Sequence, residues 1–264
     1  MNRQCFLTIH HAGLLVLCIG AASLFAEPTP AAITAFNKYS SAVESRLLKQ
    51  HGSSNFLAPA DGHRLNNGEL IIEHVTEPAI NITNPSGAIL HHWRGTAFAP
   101  CAHASDFLRL MRDFDSYSQH FSPEVVNAHT VSRQGDRIQA TMRIRQHHVI
   151  TVVMDTAYDV IFTPIDASHG YSISHSTRIQ EIASPGTPQE HALATSEEHG
   201  FLYRLNTYWS YEERDNGLYL QIEAVSLSRS IPTGLGWAVG PYVESIPKES
   251  LEFTLRSATN AFRK

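Results

Sequence analysis

The chain has 264 residues, with 20 basic and 25 acidic side chains, 16 histidines and three cysteines. A net charge of −5 without a concentrated basic stretch excludes a nucleic-acid surface, which needs clustered Lys and Arg. Two of the cysteines, Cys5 and Cys18, lie near the start, which excludes a disulfide framework and a cysteine-ligated zinc site in the rest.

Residues 1–26 read as a secretory leader. Arg3 supplies the positive start, Phe6 to Ile19 is mostly apolar, and Leu24-Phe25-Ala26 before Glu27-Pro28 suits cleavage. The apolar run is short and broken by Thr8, His10 and His11, which favours a signal peptide over a retained anchor. An exported protein, periplasmic or secreted, is the expectation. Cleavage leaves 238 residues, Cys101 as the remaining cysteine and a net charge of −6, a length suited to one substantial core.

Ile33, Phe36, Val43 and Leu47 form an apolar stripe over residues 31–50, which predicts a helix. A polar linker runs to Gly62, and Leu70-Ile71-Ile72 after Asn67-Gly68 predicts a strand leaving a tight turn. One helix and a short strand cannot bury a core alone, so residues 27–87 are expected to dock on the domain at 88–264.

That domain opens with a strand through Ile89, Trp93 and Phe98, closed by Pro100. Ser105 is a fair N-cap for a helix over 106–111, and a second short helix fits 113–121, stopped by Ser122-Pro123. Six strands follow, at about 124–133, 136–146, 148–163, 170–182, 201–214 and 217–231, with hairpin turns at Gly135-Asp136 and Asn216-Gly217. The stretch 183–200 reads as a surface loop. Ile138, Ala140, Met142 and Ile144 share one face of their strand; Tyr203, Leu205, Thr207, Trp209 and Tyr211 share one face of another. A last helix from Pro247 to Arg263 carries the stripe Leu251, Leu255, Ala258 and Phe262. Gly234 to Tyr242, glycine-rich beside bulky aromatics, suggests a flap.

This order predicts an α+β fold: a curved seven-stranded antiparallel sheet wrapped around a long C-terminal helix, with two short helices after the first strand. The order, with the stretches Trp93 to Phe98, Asp113 to Tyr117, Ser228 to Pro232 and Ile246 to Leu251, resembles the START-like (SRPBCC) superfamily and its helix-grip fold. The resemblance covers about residues 88–263. It implies a cavity between sheet and helix and a hydrophobic or amphipathic ligand: a lipid, a quinone or a polyketide-like molecule.

Within that frame Asp155, His175 and Glu223 are polar side chains in largely apolar strands, able to orient a ligand head if they face the cavity. Tyr203, Trp209 and Tyr211 are expected at the ligand from the sheet, and Trp237 and Tyr242 from the flap. No Gly-x-Ser-x-Gly elbow, phosphate loop or His-Glu-x-x-His helix occurs, so no catalytic residue is assigned and binding is favoured over catalysis. His91-His92 and His147-His148 are adjacent on strands and point to opposite faces, so no metal site is assigned. The resemblance implies no cofactor here. Transient membrane contact is compatible with it, and oligomeric state is left open. A cavity enzyme of cyclase or hydrolase type and an envelope interaction module, its N-terminal helix in the groove, are the rivals.

Overall fold

The computed structural model describes residues 27–77, 87–147, 151–230 and 236–262, the side chains of 236–244 excepted. The leader expectation for residues 1–26 lies outside the described residues. Among the described residues nine strands form one antiparallel network: β1 (Ile71–His74), β2 (Ala88–Pro100), β3 (Val125–Gln134), β4 (Arg137–His147), β5 (Thr151–Pro164), β6 (His169–Ala183), β7 (His191–Ala192), β8 (Arg204–Arg214) and β9 (Gly217–Arg229). The order across the sheet is β1-β2-β9-β8-β6-β5-β4-β3, and β7 pairs with the end of β6. Seven long strands match the expectation. The two additions are short: β1 extends the edge of β2, and β7 lies within the 183–200 stretch.

Local chemistry explains the hairpins. Asp215 and Asn216 both adopt left-handed φ, 56° and 57°, so they form the mirror-image turn that matches strand twist. Gly135 does the same at φ 60° between β3 and β4.

Five helices surround the sheet among the described residues: α1 (Pro30–His51), α2 (Gly62–Asn66), α3 (Ala104–Arg112), α4 (Tyr117–His120) and α5 (Gly236–Ala261). A single 3-10 turn, Phe114–Ser116, links α3 to α4. Thr29 caps α1, its hydroxyl accepting from Ala32 N–H at 3.1 Å.

The sheet has two covered faces. On the inner face Leu251, Leu255 and Ala258 of α5 pack with Phe107 of α3 and with Ala97, Leu218, Leu220 and Trp209 of the sheet. On the outer face Ala32, Phe36, Tyr39, Val43 and Leu47 of α1 pack on Tyr203, Tyr208, Val225 and Leu227. β9 is buried on both sides for this reason: from Gly217 to Leu227 every residue except Ala224 is buried. Gly95 of β2 lies directly under α5: a Cβ there would stand 2.4 Å from Leu255 Cδ1, so a larger residue would force the Leu255 side chain to shift.

One expectation fails at α5. The helix begins at Gly236, eleven residues ahead of Pro247, and its backbone continues through Pro241 and Pro247. The flap expected at Gly234 to Tyr242 is therefore helix from Gly236 onward. Proline in a helix interior forfeits one backbone bond, a local cost of about 3 kcal/mol. The long apolar seat along the sheet outweighs that cost, so the proline does not mark the helix start.

Candidate functional site

The inner face changes character row by row. Strand register places Gly95, Ile222, Trp209, Ser172 and Phe162 side by side across β2, β9, β8, β6 and β5, and all five are buried. The next row, Trp93, Ala224, Thr207 and Ser174, is half-buried at every position. Leu205 and Ser176 beyond it, and Met142 and Ile144 on β4, are also half-buried. Half-buried side chains on a helix-covered face are not fully packed by it and are open to contact with a small molecule. They are mixed: apolar Leu205, Ala224, Met142 and Ile144 beside the hydroxyls of Thr207 and Ser174. The Trp93 indole N–H is buried in this row with no hydrogen-bond partner among the described residues, a donor left unsatisfied by the protein. His74 stacks edge-on against the same indole at 5.1 Å.

The outer face carries the most concentrated charge. Glu223, 1% exposed, accepts from Arg46 through both carboxylate oxygens and from His92 Nε2 at 2.9 Å, with Arg94 Nη1 3.5 Å away. Arg46 also donates to Glu77 at 2.9 Å. The other ring nitrogen of His92, Nδ1, is hydrogen-bonded to the Tyr39 hydroxyl at 3.0 Å, and Tyr39 Oη accepts Glu77 N–H at 2.9 Å. Burial raises the Glu223 carboxyl, but the His92 bond and then the Arg46 charge outweigh it and hold the group at about 2. Glu223, His92 and Tyr39 have the connectivity of a proton relay. All three are at most 4% exposed beneath α1, so no substrate reaches the hydroxyl and the network acts as a clasp.

No protein-family model matches this chain, and no curated protein matches it. Solved structures do. Human StAR-related lipid transfer protein 5 is similar at 13% identity and TM-score 0.47, over 88% of this chain and 97% of that one. A STAR-related lipid transfer protein fragment from Xanthomonas axonopodis is similar at 15% identity and TM-score 0.44, over 69% and 97%. The Zhui aromatase/cyclase from Streptomyces sp. R1128 is similar at 10% identity and TM-score 0.42, over 66% and 94%. The assignment rests on the chain's own topology: strand, two short helices, six further long strands, then a closing helix gripped by the inner face. The fold is a helix-grip.

The helix-grip separates the residues that the sequence groups together. Trp209 lies on the inner face in the packed row, edge-on to Phe107 at 5.7 Å. Tyr211 is fully buried beyond it, stacked on Phe107 at 4.6 Å, in the closed end. Tyr203 precedes β8 and packs on the outer face against α1, not beside Trp209. Asp155, His175 and Glu223 also face outward. Asp155 holds Arg143 through two bonds of 2.7 and 2.9 Å, and Arg143 reaches Glu190 of the 183–200 stretch. His175 Nε2 is 2.8 Å from Glu44 Oε1 on α1. These three therefore do not converge on the inner face, where the rival cavity enzyme needed them. Trp237 and Tyr242 lie on the helical backbone of α5, their side chains outside the described residues. Trp93, Thr207 and Ser174 were missed. Trp93 enters the sequence reading only as a residue of the first strand and of the Trp93 to Phe98 stretch, and its N–H, without a partner among the described residues, is visible only in three dimensions. α1 lies on the outer face, not in the groove.

Proposed function

We propose that the protein binds a hydrophobic or amphipathic small molecule, such as a lipid, quinone or polyketide-like compound, in the hollow between the inner face and α5. The observation that carries this reading is the half-buried row Trp93, Ala224, Thr207 and Ser174 next to a fully packed row. The Trp93 N–H and the Thr207 and Ser174 hydroxyls would orient a ligand carbonyl or hydroxyl, and the aliphatic neighbours would hold its apolar body. The lipid-transfer and aromatase/cyclase names of the similar structures are in keeping with such a ligand. At about 25 cal/mol per Å2, roughly 300 Å2 of apolar ligand area would contribute about 7 kcal/mol before ordering costs, enough for micromolar binding. Export through the N-terminal leader is part of the same proposal.

The test is native mass spectrometry of the protein from its own host, followed by denaturing extraction. The expected result is a chain beginning at Glu27 that carries a stoichiometric hydrophobic mass. In Ala224→Trp, where the indole would fill the half-buried row, occupancy should fall at least severalfold while the fold is retained. An empty protein that also ignores a panel of lipids and quinones would sink the binding reading. An unprocessed N-terminus would sink the leader.

A further inference from the structure

A second concavity lies on the opposite side of the sheet. α1 and the outer surface of β6 and β8 enclose a cleft of about 360 Å3, at the small end for small-molecule sites. Its walls include Leu47 and Leu48 of α1, Tyr171 and Ile173 of β6, and Tyr208 of β8. Glu44 and His51, seven residues apart on α1, both line it. No Lys or Arg does.

The two polar ends have spare capacity. Both bonds to Glu44, from His175 Nε2 at 2.8 Å and from the Tyr208 hydroxyl at 3.0 Å, end on Oε1. Oε2 has no partner among the described residues. Burial raises this carboxyl, but the bonds to His175 and Tyr208 outweigh it and keep the group below the ordinary glutamate value. At the other end the His51 ring is stacked between Phe56 at 4.7 Å and Tyr171 at 4.3 Å. Its Nε2 meets Ser210 Oγ at 2.8 Å, and its Nδ1 is buried with no partner among the described residues. Burial pushes this imidazole down to about 4, so it brings no positive charge into the cleft at neutral pH.

We infer that this cleft binds a small aromatic amine in its ammonium form. The ammonium donates to Glu44 Oε2, and the ring packs on Tyr171 and Ile173. An anion would meet the Glu44 carboxylate, whose Oε1 already holds His175, and a neutral molecule forfeits the charge-assisted bond. The site is separated from the inner hollow by the sheet itself, so it stands or falls independently of the ligand proposed there.

The test is titration of the full exported chain with phenethylamine, followed by amide chemical shifts, beside the neutral 2-phenylethanol and the anionic 3-phenylpropionate. Saturable shifts are expected at Leu48, Tyr171 and Ile173 with the amine. The two isosteres should bind about tenfold or more weakly, as should the amine to Glu44→Gln, the effect of one charge-assisted bond. Ser45→Trp, at an exposed lining position, should block the cleft without touching the core. The same spectra report whether each variant is folded. Absence of saturable shifts overturns the inference, as does equal binding of 2-phenylethanol. Affinity unchanged in both variants would place the amine elsewhere, the inner face included, and overturns it too.

Discussion

At the scale of single residues the decisive group is Glu223, because it is charged, almost fully buried and ties α1 to β2. Its carboxyl is lowered from 4.5 to about 2. A carboxylate with a lowered folded value stabilises the native state above its unfolded value and loses that contribution as pH falls through the folded one. The window for Glu223 is therefore between about 4.5 and about 2, with a contribution on the order of 3 kcal/mol. Urea unfolding of the wild type should weaken across that window, and Glu223→Gln should flatten the slope while lowering stability at neutral pH by about 3 kcal/mol. Equal slopes in the two proteins would show that the clasp is not what titrates.

At the scale of elements α1 is a structural cover. Phe36 is 2% exposed in the outer core, so Phe36→Ala should cost about 3–5 kcal/mol in chemical denaturation. Leu48, on the same helix but 66% exposed, should change stability by less than about 0.5 kcal/mol when cut to alanine. A similar small loss at both positions would mean that α1 is only loosely seated. Element identity was largely legible in the sequence. The 31–50 stripe, the alternation of Ile138, Ala140 and Met142, and the Leu251-Leu255-Ala258 stripe all name residues that line a packed face. What was not legible is which way each strand faces. Alternation separates two faces but labels neither when both are covered, as on β9, where Leu220 and Gln221 are both buried on opposite sides. That ambiguity left the facing of Asp155, His175 and Glu223 open, and the structure turns all three outward. A signal existed in α1: Tyr39 and Arg46 fall on the spacing of Phe36 and Val43, and polar tips on a buried stripe require buried partners.

At the scale of the whole molecule the sheet is unevenly clad. β2, β9 and β8 lie between α5 on one side and α1 on the other. β4, beyond them in the sheet, turns Arg137, Gln139 and Arg145 outward with no helix over them among the described residues. The molecule is thus a bowl with a double wall on one side and a single wall on the other. Local opening draws on the regions with the fewest buried contacts, so amide exchange should be slowest in β9 and its neighbours and markedly faster in β3 and β4. Uniform protection across the sheet would contradict this. If the gradient holds, the bowl admits its contents at the thin rim: the clasped helix keeps one wall rigid, and breathing of the interior is left to the other.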